Sequence, residues 1–132
     1  MKNTLNTDVK TRDKLIFGKY EPKKYSGGIR RFEGMTPDTL SSLLHLKFID
    51  PECTQNYSPT VAVFHDFICK YPEYTVHGYA VELERNDYRV SIEGVEKPEG
   101  YGSAEELEEF TLLFRKADEF HVGSDFMRCW FD

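Results

Sequence analysis

No stretch of this chain approaches the roughly 20 consecutive apolar residues that a membrane-spanning helix needs, and no apolar leader opens it. The expected location is therefore the cytoplasm. Cysteine is scarce: Cys53, Cys69 and Cys129 are an odd number at no framework spacing, which predicts reduced thiols and no disulfide scaffold. The common site motifs are missing too. There is no CxxC or HExxH pair and no GxGxxG or GxxxxGK glycine pattern, so no metal, cofactor or phosphate loop is expected. No internal repeat, linker or low-complexity tract divides the 132 residues, a length that a single core can serve without staples.

Aromatic residues, in contrast, are plentiful, with ten Phe, eight Tyr and one Trp to build that core. Charge is plentiful and unevenly placed. Residues 1–31 carry nine Lys or Arg against three Asp or Glu, whereas residues 32–132 carry eight against twenty, giving the net charge of -6. Such a split points to a basic arm seeking phosphate, to an acidic body seeking a basic partner, or to an arm lying along its own body.

The clearest element is the stretch Thr75–Glu96. Tyr88, Val90 and Ile92 alternate with Arg89, Ser91 and Glu93, which predicts a half-buried hairpin strand with an apolar and a polar face. Thr36-Pro37 and Ser58-Pro59 read as helix starts, the hydroxyl capping a free backbone N–H and proline having none to leave unsatisfied. The first opens a helix with Leu40, Leu43 and Leu44 inward. The second opens one with Val61, Phe64, Ile68 and Tyr71 on a single face. Ser103 to Glu106 forms a capping box for a third helix, which buries Leu107, Phe110 and Phe114. Residues 1–13 are polar and predict a flexible tail, leaving 14–132 as the domain. Leu15–Tyr20 and Ile29–Phe32 read as a first hairpin, and Glu119–Phe131 as a last one turning at Gly123-Ser124. The expected fold class is α+β, an antiparallel sheet of hairpins with about three helices on one face.

Candidate chemistry is modest. Cys129, His121 and Asp125 supply the residue types of nucleophilic catalysis on one hairpin, although a thiol in an apolar strand reads more simply as packed. Glu82, Glu84, Glu93 and Glu96 could pair as acid and base, but carboxylates on a sheet's solvent face are ordinary. His65 and Cys69 lie one helical turn apart, too few for a metal motif. Lys19, Lys23, Lys24, Arg30 and Arg31, interleaved with Phe17, Tyr20, Tyr25 and Phe32, form a basic-aromatic pattern suited to nucleic acid. Glu105, Glu106, Glu108 and Glu109 form an acidic helix start suited to a basic protein groove. Arg89 and Glu93, on the polar face of the hairpin, are further protein-contact candidates.

Two stretches also carry a resemblance: Phe48-Ile49-Asp50-Pro51 with Gln55-Asn56-Tyr57-Ser58-Pro59-Thr60, and His77-Gly78-Tyr79-Ala80-Val81 with Asp87-Tyr88-Arg89-Val90. Across roughly residues 32–132 the chain resembles a group of small bacterial proteins often carried on mobile genetic elements, whose function is unassigned. The resemblance implies a bacterial cytoplasmic accessory protein and brings no catalytic residues. The leading expectation is a non-enzymatic binding protein acting by protein–protein contact through an acidic surface. An inhibitor of a nucleic-acid enzyme, or of a host-defence system such as CRISPR, is the form it would take. Nucleic-acid binding by the basic N-terminal hairpin is the alternative, and a small cysteine or carboxylate hydrolase the third reading.

Overall fold

A computed structural model describes residues 4–132, and among these the chain forms four α-helices and five strands. The first helix, α1 (Val9–Phe17), precedes a 3-10 turn at Pro22–Lys24 and strand β1 (Ile29–Met35). Helices α2 (Pro37–His45) and α3 (Val61–Lys70) lead to β2 (Thr75–Val81) and β3 (Val90–Lys97). Helix α4 (Ala104–Phe114) then returns the chain to β4 (Glu119–His121) and β5 (Met127–Trp130). The strands form one antiparallel sheet in the order β1-β2-β3-β5-β4. The α+β class is as expected, with a fourth helix added.

That fourth helix, α1, replaces the expected tail and the first strand of the expected hairpin, while Ile29–Phe32 does form a strand, within β1, and pairs with β2. The Asp8 carboxylate accepts from the Thr11 N–H at 3.2 Å and from the Thr11 hydroxyl at 2.7 Å, which starts the helix. Gly18, at φ 88°, ends it in the left-handed conformation. Ahead of it, Asn6 is tied down by bonds to the carbonyls of Lys47 and Leu46. The flexible stretch expected over residues 1–13 is thus an ordered segment from Asn6 onward, while residues 1–3 lie outside the described part. Helix α1 was invisible to an apolar-periodicity argument because a buried charge pair, Arg12 with Asp13, anchors it.

The other helices follow their caps. Thr36 accepts from the Thr39 N–H, as expected for α2. At α4 Ser103 accepts from the Glu106 N–H, but the Glu106 carboxylate reaches the Gly102 N–H in place of that of Ser103, so only half of the expected capping box forms. The cap of α3 is Thr60, not Ser58, whose hydroxyl is instead donated to the Pro59 carbonyl at 2.7 Å. Leu40, Leu43, Phe64, Phe67, Ile68, Phe110 and Phe114 pack on the Val76, Ala80, Ile92 and Val95 face of the sheet. Phe64 and Phe114 stack with centroids 5.3 Å apart, and Phe67 meets Phe114 edge-on at 5.2 Å.

On the other face of the sheet lie Arg31, His77, Tyr79, Ser91, Glu93, Arg128 and Trp130. Two close approaches shape it. Glu93 is an extra residue in β3, since Gly78 pairs with Ile92 but His77 pairs with Gly94. A Cβ on Gly78 would lie 1.9 Å from the Ser91 carbonyl oxygen, and one on Gly94 2.0 Å from that of Cys129. Only glycine fits at either position. Gly94→Ala is therefore expected to lower stability by about 1–3 kcal/mol, seen as a lower urea midpoint; an unchanged midpoint would show that β3 and β5 can part at no cost.

Candidate functional site

The polar face of the sheet carries the densest arrangement of functional groups. At its centre the Glu93 carboxylate accepts from Arg31 Nη1 at 2.7 Å. Glu93 is buried, whereas the Arg31 side chain is 65% exposed. Toward one end, Arg89 donates to the Tyr79 hydroxyl at 2.8 Å, the Ser91 hydroxyl at 2.9 Å and Asp87 at 2.9 Å. Asp87 also accepts from Arg85. The hydrogen bond from Arg89, above all, holds the Asp87 carboxyl below its ordinary range. Alternation in β2 and β3 places these groups, but Ser91 and Glu93 are buried beneath their neighbours where an exposed polar face was expected.

Toward the other end, a depression of about 540 Å³ is lined by Arg31, Phe32, Glu33, His77, Gly78, Arg128 and Trp130. His77 is 6% exposed and its Nε2 lies 3.2 Å from the Cys129 carbonyl oxygen. A carbonyl only accepts, so Nε2 carries the proton and Nδ1 is the bare acceptor. Burial first, and Arg128 second, lower the His77 pKa and keep the ring neutral. Arg128 donates to Glu119 at 2.8 Å and stands 5.8 Å from the Trp130 ring centre. It also forms a wall of a second hollow, where His121 stacks on Phe126 at 3.8 Å.

Arg89 and Glu93 thus reach the face they were expected on, joined by Arg31 from the basic set. The rest of that set scatters. Arg30 and Arg31 are neighbours in β1 and therefore point to opposite sides. Arg30 lies over the Phe17 ring at 3.8 Å and 3.6 Å from Glu21. Lys19, Lys23 and Lys24 are exposed on the turn after α1, so no basic hairpin forms. The acidic helix start is dispersed as well. Glu106 is buried against Lys97 and Tyr74, while Glu105 and Glu109 both meet Lys70 of α3. Glu108 is exposed on the same helix.

The hydrolase candidates do not assemble. Cys129 pairs with Phe120 on the core face and is wholly buried, which pushes its thiol up to about 12. His121 pairs with Arg128 on the opposite face and bonds Asp125 at 3.0 Å. His65 Nε2 lies 2.7 Å from the Ser41 hydroxyl and 3.4 Å from the Cys69 sulfur, but no group of three metal-ligating side chains forms among the described residues.

Sequence reasoning passed over Arg128, Trp130 and Tyr57. The alternation Met127-Arg128-Cys129-Trp130 was the available signal for the first two, since a buried Cys129 sends both neighbours outward. Tyr57 is 98% exposed and, with Asn56, adopts positive φ, a strained arrangement for a bulky residue. Its loop borders the polar face through Gln55, which accepts from the Tyr79 hydroxyl at 3.3 Å. Comparison of the chain with protein-family models, curated proteins and solved structures finds no match. Fold and face together define a class: an α+β domain whose sheet is covered by helices on one side and presents a polar, charge-matched surface on the other. No helix among the described residues is long and apolar enough to cross a membrane.

Proposed function

We propose that the protein is a non-enzymatic binding protein, working by protein–protein contact with the polar sheet face as its contact surface. The observation that carries this reading is the juxtaposition of half-buried Trp130 and exposed Arg31 around an ordered depression. Tryptophan, tyrosine and arginine dominate the energetics of protein interfaces, and Tyr57 adds an exposed ring at the border. The face is held in place before any partner arrives, because Glu93 fixes Arg31 and Asp87 fixes Arg89, which lowers the cost of ordering on binding.

The net charge of -6 favours a partner with a basic surface. An inhibitor of a nucleic-acid enzyme or of a host-defence nuclease, acting in a bacterial cytoplasm, is the form that fits the charge and the resemblance to mobile-element proteins. Glu105, Glu106 and Glu109 are less suited to lead that contact, being bound to Lys70 and Lys97. Nucleic-acid binding through the N-terminal basic residues is likewise less supported, since Arg12 is buried and Arg30 and Arg31 diverge.

Capture with three baits tests the reading: the native chain, a Trp130→Ala/Arg31→Ala variant, and a Glu105→Lys/Glu108→Lys variant. A protein retained by the native chain and the α4 variant but lost by the face variant is the expected result. Loss from the α4 variant alone would move the contact to the acidic helix and overturn the assignment.

A further inference from the structure

The depression on the polar face offers donors and acceptors that the protein's own groups leave unused. Arg31 engages Glu93 through Nη1 alone, and its remaining guanidinium nitrogens bond no group among the described residues. Arg128 gives Nη1 to Glu119, and its Nε stands 3.8 Å from Glu96, leaving Nη2 free among the described residues. His77 presents Nδ1 as a bare acceptor, its Nε2 being committed to Cys129. Trp130 adds an indole face, and the backbone of Gly78 lines the depression beside it.

We infer that this depression is a nucleotide site, with phosphate oxygens between Arg31 and Arg128, the base against Trp130, and an N–H or O–H of the base or sugar donating to His77 Nδ1. Forked guanidinium donors match the oxygens of a phosphate, and an indole face stacks on any base. The volume of about 540 Å³ is that of a small-ligand pocket, commonly about 300–1,000 Å³. Arg31 is paired with Glu93, and Arg128 with Glu119 and near Glu96, so each guanidinium brings its own counter-charge and only its unused N–H donors are offered to a ligand. Glu33 is a further carboxylate in the lining. A simple carboxylate would leave the indole and His77 idle, and a neutral ring would leave both guanidiniums idle. A nucleoside monophosphate unit uses all four, whether it is free or part of a single strand. The nucleotide site uses the same depression as the protein-contact reading, but its ligand and its readout are different, so either can fail without the other.

Trp130 is the chain's single tryptophan, so its fluorescence reports on this depression directly. The intact chain is titrated with AMP, adenosine, inorganic phosphate and a short oligothymidylate. AMP should quench Trp130 saturably, adenosine should bind about tenfold more weakly or worse, and phosphate should displace AMP from the native protein. Arg128→Gln should weaken AMP by about tenfold with the circular dichroism spectrum unchanged. Tighter binding of the oligothymidylate than of AMP identifies a single strand as the source, and the reverse order a free nucleotide. Absence of saturable quenching by every probe, equal affinity for AMP and adenosine, or failure of phosphate to compete on the native protein would each overturn the assignment.

Discussion

Replacing Arg12 with methionine lowers the stability of the domain by about 3–5 kcal/mol, the cost of leaving a buried partner charge alone. Arg12 is wholly buried on α1, and every arm of its guanidinium is used. Nε donates to Asp13 at 2.9 Å, Nη1 to the Val81 carbonyl at 2.9 Å, and Nη2 to the Tyr25 hydroxyl at 2.9 Å. The guanidinium also stands 4.8 Å from the Tyr88 ring centre, and Tyr25 closes the circuit by donating to Asp13. Methionine fills much of the volume but takes from the Asp13 carboxylate its counter-charge, leaving it only the Tyr25 hydroxyl, and takes from the Val81 carbonyl its bond to Arg12. Against a total stability of roughly 5–15 kcal/mol, that loss should bring the thermal midpoint down on the order of 10 °C. Adding Asp13→Asn to the variant should restore part of it, because the penalty belongs largely to the orphaned charge. A single variant within about 0.5 kcal/mol of the native chain would mean that α1 is not anchored through Arg12.

Arg12 also marks the boundary of what pattern reading recovers. The hairpin of β2 and β3 was legible because its alternation is strict, and α2 and α4 were legible because Thr36 and Ser103 announce them. All three depend on local chemistry or on a period that repeats. Helix α1 has neither an apolar stripe nor a proline, and the partners of its buried pair arrive from Tyr25, Val81 and Tyr88, far along the chain. The bulge at Glu93 is hidden for a related reason. Alternation runs unbroken through Ile92 and Glu93, and only the partner strand reveals that one residue is extra. Sheet order is non-local too, since β5 enters between β3 and β4.

The same contrast applies to the site. Counting charge along the chain suggested a basic arm and an acidic helix, but charge acts in space. Arg30 and Arg31 are adjacent in sequence and on opposite sides of β1, while Lys70 and Glu109 are 39 residues apart and bonded. Of the candidates, Arg31, Arg89 and Glu93 share one face of the sheet, and they are the subset whose placement alternation dictates. Arg128 and Trp130 follow the same rule in β5, and they complete the depression that neither charge count pointed to.

Glu106 provides the second large effect, and a pH dependence with it. Its carboxylate accepts from Lys97 at 2.7 Å, from the Tyr74 hydroxyl at 2.7 Å and from the Gly102 N–H at 3.0 Å. The side chains of Lys97 and Glu106 are 3% and 6% exposed. Glu106→Gln keeps the shape and removes the charge, leaving the Lys97 ammonium unpaired in the interior, at a cost of about 3–5 kcal/mol. Glu105→Gln, one residue away on the exposed side of α4, should change stability by no more than about 0.5 kcal/mol, although both belong to the same acidic run. Burial pushes the Glu106 pKa up, but the bonds from Lys97, Tyr74 and Gly102 outweigh it, and the carboxyl is held below its ordinary 4.5. The folded pKa therefore lies below the unfolded one. The stabilisation is fully present above the unfolded value and is lost as pH falls through 4.5 toward the folded pKa. Urea unfolding of the native chain from roughly pH 7 down to pH 3 should show that decline, and Glu106→Gln should show a lower plateau with a shallower acid slope. Equal slopes in the two proteins would mean that other carboxylates carry the acid sensitivity and that the Lys97–Glu106 pair is not what joins α4 to the sheet.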